Sequence, residues 1–519
     1  MIFWNAGSSE TTRGLDILGI RILDQNLELD WVGGLTTVSP RARYFSLIPW
    51  LLGAFSLETG AGATEGWRFD RNNFLAALKR MEFVVLAASQ LQGANLADDT
   101  TGILNSMNYR EILNAFNQEA RFEGEFAKGG TSLNIYSSPA RSFGLIADDP
   151  EDVFPFRVVG LGKEIHDCRE SALRNSPLRQ YVLRGGLLTR QMIEEDGRWF
   201  SVNGLHNASC SAERELLERA FFIPSLHGQT AEGYANFRST VLWVLQSCFD
   251  QPNHADGLLV RNFQAILTDE RNEHQAVRWA WQEYELRRRI HYAQELLLTG
   301  LVDLLESNGP MPLTGAIHKL TEDSAIPSTL IRTLGVNQFR WTLSIEDFYS
   351  TFDSDKWWRI PLPPRQVGLL SPGDKAIFAI ALMVVSHRQA SHRRTEAGQC
   401  LQGSLPDWCV CQIFDQIFIE RGHSLVSLLR FVLEHMVIQP HLVTTLRKMG
   451  EGQKCSLRLY VEEGLLCPTG IRIEAGYSIT RLTSLLSVLA DIGFLRHHQN
   501  GYETSDRGWR FLREFGALR

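Results

Sequence analysis

The chain has 519 residues, 44% of them hydrophobic and 21% charged, with 28 Phe and 13 Trp. That is too long for one ordinary core and too apolar for extended disorder, so it predicts two to four domains or one elongated helical body. A formal net charge of −7 excludes a surface that coats nucleic acid indiscriminately and confines any such contact to a local patch. The eight cysteines, several of them inside apolar helical patterns, read as reduced core thiols and not as a disulfide scaffold. "MIFWNAGSSETTRGLD" lacks the basic flank and apolar run of a signal peptide, and the most apolar run, Phe45 to Leu57, is too short to span a bilayer. A cytoplasmic protein is therefore expected.

Residues 1–60 read as a strand and turn region followed by a helix. "LDILGIRILDQNLEL" alternates apolar and polar residues up to a turn at Gly33 and Gly34. In "LTTVSPRARYFSLIPWLL", Ser39 is placed as an N-cap and Pro40 in the first turn, with Tyr44, Ile48, Leu51, Leu52 and Phe55 on the buried face. Pro49 lacks an N–H and crowds the preceding turn, so it should kink or break the helix. Arg41 and Arg43 are misplaced for a helix start, where an exposed cation costs about 0.3–1 kcal/mol. Two of them imply a bound anion: a nucleic-acid phosphate, or an internal carboxylate such as Glu28, Asp30 or Glu58, the commoner arrangement.

Residues 61–362 read as a helical body. "NNFLAALKRMEFVVLAASQL" sets Phe74, Leu75, Leu78, Met81, Val84 and Val85 on one helix face. "NYREILNAFNQEARF", "SAERELLERAFF" with Ser211 as N-cap, and "ANFRSTVLWVLQSC" repeat the pattern. Asp269 to Glu306 keeps a helical stripe through Val277, Trp281, Tyr284, Ile290, Leu297, Leu301 and Leu304, predicting one or two long helices. The proline-rich "WWRIPLPPRQVGLLSPGDK" places a boundary near Pro363, followed by a helical domain over 363–438.

Residues 439–519 read as a winged-helix domain. A helix from Ser478 to Ile492 should turn Ile479, Leu482, Leu485, Leu486, Leu489 and Ile492 inward. Thr480, Arg481, Thr483, Ser484 and Ser487 would then face outward. Gly493 ends it, and "FLRHH" and "YET" flank the hairpin signal Asn500-Gly501. Ser505 or Asp506 caps a last helix, while "LVTTLRKM" and "SLRLYVE" lie upstream. In such a domain the outward helix enters the major groove and the hairpin touches phosphate. The residues expected to contact double-stranded DNA are Arg481, Ser484, Arg496, His497, His498 and Arg507, with Arg41 and Arg43 as a second basic element. The competing reading is a winged helix used for protein contacts.

"GGLTTVSPRARYFSLIPWLL" resembles the "PG…T…RARYF…PW" signature of a family of uncharacterised bacterial proteins that tend to be encoded among antiphage and restriction genes. "FRSTVLWVLQ" and the C-terminal block are similar to later segments of that family, while Val32-Gly33-Gly34 stands where the family has Phe-Pro-Gly. The resemblance implies a role in antiphage defence beside proteins such as a nuclease or helicase, and it implies no chemistry.

Enzymatic motifs are sparse. "GLGKE" at Gly160 and "KGGTS" at Lys128 are too short to cradle phosphates, and "DDPEDVFPFRVVGLGKE" puts Lys163 in a turn after Gly162, not on an acid-x-Lys strand. Cys400, Cys409 and Cys411, with His392 or His423, have a spacing poor for zinc. "SHRQASHRRTE", His387 to Glu396, is a solvated face or an extension of the basic surface. No catalytic residue, metal or cofactor is expected. A mainly α, multidomain fold and a non-enzymatic nucleic-acid-binding or sensing subunit follow, with an adaptor gripping an effector protein as the alternative and a cryptic nuclease as the third reading.

Overall fold

A computed structural model of the chain describes residues 16–59, 70–92, 102–149, 156–223, 230–265, 273–322, 339–351, 368–390, 422–450, 456–471 and 474–515. The fold is mainly helical, and among the described residues the strands form two-stranded antiparallel pairs. No helix among them is long and apolar enough to cross a membrane. The chain divides into two compact units, each assembled from separate stretches. One comprises Met1–Leu27, Leu259–Asp269 and Arg278–Ser478; the other comprises Glu28–Leu258, Glu270–Val277 and Ile479–Arg519. One division falls at Ser478, inside the stretch read from sequence as a single C-terminal domain. The boundary expected near Pro363 lies outside the described residues.

The first unit is organised by the helix Glu273–Asn308, from its residue Arg278 onward. Every residue from Trp281 to Gly300 is buried, as the apolar stripe foretold, but so are the charged residues between the stripe positions. Leu286, Ile290, Leu297 and Leu301 share a core with Ile377, Ile380 and Val384 of the helix Pro372–Ala390 and with Leu428, Leu429 and Leu433. The last of these belongs to a π-helical stretch, Val432–Ile438, whose Met436 carbonyl accepts from Gln294 Nε2 at 3.1 Å. The helix Gln439–Gly450 follows, then the hairpin Leu459–Glu462 and Leu465–Pro468.

The opening segment departs from expectation. Arg21–Trp31 is a helix, not a strand, because Asp16 caps it: its carboxylate accepts from the N–H groups of Gly19, Ile20 and Arg21 at 2.7, 3.2 and 3.0 Å. Asp24 and Glu28, one helical turn apart, are both buried, so polarity does not mark the solvent side of this segment.

The second unit is built around the helix Arg43–Thr59, which continues through Pro49 without a break. Ser39 does not cap it; its hydroxyl oxygen accepts from the Thr36 N–H at 2.9 Å and closes the turn before the helix. Phe45 lies edge-on to Tyr136, Phe143 and Phe221, with centroids 5.2, 5.4 and 5.5 Å away, tying this helix to Ser132–Ser142 and Ser211–Phe222. Ser211 is the first residue of its helix, one position inside the cap. Gly160–Leu173 is also a helix, so Lys163 sits in its first turn and not in a loop. A Cβ on Gly162 would lie 2.0 Å from the Leu145 carbonyl oxygen, so glycine serves close packing here, not phosphate binding.

The C-terminal order of helix, strand, strand and helix is as read: Arg481–Asp491, Leu495–His498, Gly501–Thr504 and Asp506–Glu514. The hairpin register pairs His498 with Gly501, so the turn is Gln499-Asn500, one residue earlier than expected. Gly501 instead admits a neighbour: its Cβ would meet the Asn253 backbone at 2.4 Å, and Asn253 exchanges both backbone hydrogen bonds with Tyr502 at 2.9 Å. The hairpin is thereby mounted on the second unit.

Candidate functional site

The two arginines that open the helix Arg43–Thr59 do hold anions, and both anions belong to the chain. Arg41 grips Asp491 through Nε at 3.1 Å and through its terminal nitrogen at 2.8 Å, while the Ala42 N–H donates to the same carboxylate at 2.7 Å. Asp491 thus fills the anion position at the helix N-terminus. Arg43 donates from one terminal nitrogen to both Glu213 oxygens, at 2.8 and 2.7 Å, and its other nitrogens reach the carbonyls of Ser201 and Arg198. Arg169 donates to Glu213 at 2.7 Å and stacks over Trp50 and Phe200; Ser46 donates to Glu213 as well.

Arg43, Arg169 and Glu213 have no exposed surface. Burial alone pushes the Glu213 carboxyl up, but Arg169 and Arg43 hold it below the usual carboxylate range. Arg41 and Arg43 are therefore structural and closed to a nucleic acid. The internal pairing weighed from sequence is the arrangement present, with Asp491 and Glu213 in place of Glu28, Asp30 or Glu58. Neither partner was marked by a sequence signal, since one is 450 residues from Arg41 and the other 170 from Arg43.

The helix Arg481–Asp491 is held at both ends. Thr480 caps it through the Leu482 N–H. Glu28 accepts from Thr480 Oγ1 at 2.9 Å and from the Arg481 N–H at 2.8 Å. The Arg481 guanidinium donates to the Leu35 carbonyl at 2.8 Å and leaves 15% of its side chain exposed. At the other end stands the Asp491–Arg41 pair. Ser484, expected to face outward, is fully buried, as are Thr480 and Val488. Ile479, expected inward, lies before the helix and is 68% exposed. Periodicity placed Leu482, Leu485, Leu486, Leu489 and Ile492 correctly inward, and Thr483 is exposed as expected, but residues from distant parts of the chain engage both ends of the polar stripe, and Ser484 is not on a free face.

The hairpin residues are more open. Arg496 keeps 65% of its side chain exposed and pairs with Glu503 across the strands. His497 and His498 are exposed, and the His497 ring contacts that of Tyr502 with centroids 4.9 Å apart. Arg507 is half-buried and paired with Glu218. Of the eight expected contact residues, the structure brings Arg496, His497 and His498 together on an accessible element and withdraws Ser484, Arg41 and Arg43.

The loop "KGGTS" binds a carboxylate. Glu82 accepts from the N–H groups of Gly130 and Ser132 at 2.7 Å each, from Tyr109 OH at 2.9 Å and from Asn105 Nδ2 at 2.6 Å. In the first unit, His291 lies between Asp24 at 3.2 Å and Glu295 at 3.1 Å. Burial pushes it down, but Glu295 and Asp24 outweigh that and raise it to about 10, so it is a charged link in a buried chain.

Among the described residues no group of His, Cys, Asp and Glu is arranged to hold a metal ion. His392, Cys400, Cys409 and Cys411 lie outside those residues, as does most of the run His387 to Glu396. His423 is exposed, and its backbone carbonyl accepts from Ile345. Comparison of the chain with protein-family models, curated proteins and solved structures finds no match.

Proposed function

We propose that this protein is a non-enzymatic adaptor subunit that works through protein contacts, assembling an effector such as a nuclease or helicase in a bacterial antiphage system. The burial of the helix Arg481–Asp491 carries the reading. A helix that reads a groove must offer a stripe of side chains to it, whereas here Arg481 and Asp491 are engaged by Glu28, Leu35, Arg41 and Ala42, Ser484 is buried and Ser487 half-buried, and of the residues expected outward Thr483 alone is exposed. The resemblance of the RARYF stretch to proteins encoded among antiphage genes supports the setting, and a cytoplasmic location goes with it.

Purification of the tagged chain from its host, with and without nuclease treatment, tests the proposal. An effector that stays at fixed stoichiometry after nuclease treatment is expected, and loss of every partner on nuclease treatment would overturn it.

A second reading, a winged helix that binds double-stranded DNA, is favoured by the accessible Arg496, His497 and His498. It expects duplex affinity to fall with salt by nearly one log–log unit per neutralised phosphate. It also expects Arg496→Glu to weaken binding, and it replaces the adaptor reading if the parent chain behaves in this way and no effector stays with it after nuclease treatment.

A further inference from the structure

We propose that the stretch Glu28–Ala42 is an autoinhibitory clamp over a latent duplex-DNA-binding helix, with the Glu28 carboxylate standing where a backbone phosphate would bind. The inference goes beyond the adaptor reading and rests on the helix–hairpin–helix being a winged helix. Its first support is the donor set on Glu28. A hydroxyl from Thr480, the N–H of Arg481 and the Arg481 guanidinium, Nε at 3.7 Å from the second oxygen, converge on this one carboxylate. Those are the groups that a helix N-terminus offers to phosphate oxygens.

The second support is independent. Ser484 is fully buried one turn further along the same stripe, and among the described residues its Oγ has no hydrogen-bond partner. Buried polar atoms are nearly always satisfied, and a phosphate oxygen of a duplex lying against this stripe would give this hydroxyl an acceptor. Clamp and helix meet at both ends, since Arg41 and Ala42 hold Asp491 as Glu28 and Leu35 hold Arg481. The hairpin carrying Arg496, His497 and His498 stays exposed beside the covered helix, where it can make the first contact with a duplex.

Glu28→Gln tests the clamp in the full-length protein. The glutamine carbonyl still accepts from Thr480 and Arg481, so the helix cap is kept while the competing charge goes. Anisotropy of a short fluorescent DNA duplex at low salt should show binding at least about tenfold tighter than the parent's. The gain should disappear in Glu28→Gln/Arg481→Gln. Asp30→Asn, the same change of charge two residues on at an exposed position, should show no such gain.

Should the glutamine variant prove unstable by thermal melting, hydrogen exchange of the parent replaces it: excess duplex should speed exchange of the Trp31 and Leu35 amides. An unchanged affinity in Glu28→Gln, an equal gain in Asp30→Asn, or exchange unmoved by duplex overturns the proposal. Absence of duplex binding by every variant overturns it together with the winged-helix reading, and partner co-purification is scored separately from both.

Discussion

Glu213 is the fully buried acceptor on which Arg43, Arg169 and Ser46 converge. Removing one member of such a group leaves charge buried and uncompensated, which costs about 3–5 kcal/mol. Glu213→Gln should therefore lower the unfolding free energy of the second unit by that amount, read as a lower denaturant midpoint, and an unchanged midpoint would show that the triad is dispensable. A second residue-scale prediction concerns His441, which is fully buried. Its Nε2 accepts from the Arg458 N–H at 2.9 Å, so Nδ1 carries the proton that it donates to the Ile17 carbonyl at 3.0 Å. Burial, with Arg458 adding to it, lowers this group to about 4. Because the folded value lies below the unfolded value of about 6.5, the stabilisation is complete above pH ~6.5 and is lost as pH falls toward about 4, in total about 3 kcal/mol. His291 has the opposite sign: raised to about 10, it stabilises fully below pH ~6.5 and loses that effect as pH rises through about 10. Urea midpoints across pH should fall on the acid side in the parent and less steeply in His441→Gln.

At the scale of elements, the long helix Glu273–Asn308 was legible because an uninterrupted apolar stripe without proline has few alternatives to a helix. Trp281 is 1% exposed, and Trp281→Ala should destabilise the first unit by about 3–5 kcal/mol in thermal or denaturant unfolding. Equal melting of variant and parent would contradict the central position of this helix. Less legible was what surrounds such a stripe. Glu283, Glu285, Arg287 and His291 lie between the stripe positions, and all are buried and paired. Periodicity reports which residues are apolar and does not report how many sides of a helix are covered. The same gap explains Ser484, whose polar stripe reads as outward until Glu28 and Arg41 are seen at its ends. The contacts that "KGGTS" and "GLGKE" make, binding Glu82 and allowing the approach to Leu145, depend on partners that no local pattern names.

For the molecule as a whole, the decisive fact is that neither compact unit is a continuous stretch of chain. The block 439–519 reads as a self-sufficient domain, but residues up to Ser478 belong to one unit and those after it to the other. An isolated 439–519 fragment would leave Asp491 without Arg41, Tyr502 without Asn253 and His441 without Ile17. It should show no cooperative melting transition by circular dichroism, and a sharp one would restore the block as a domain.

The Arg41–Asp491 pair also sets a schedule for synthesis. Its members lie 450 residues apart, and translation at about 5–20 residues per second separates their emergence by roughly 20–90 s. Through that interval the nascent RARYF helix carries an uncapped amino end and an arginine, Arg41, still waiting for the carboxylate that it is buried with. The early part of this protein therefore waits on the ribosome for its late part, and its yield should depend on the chaperones that guard such a wait.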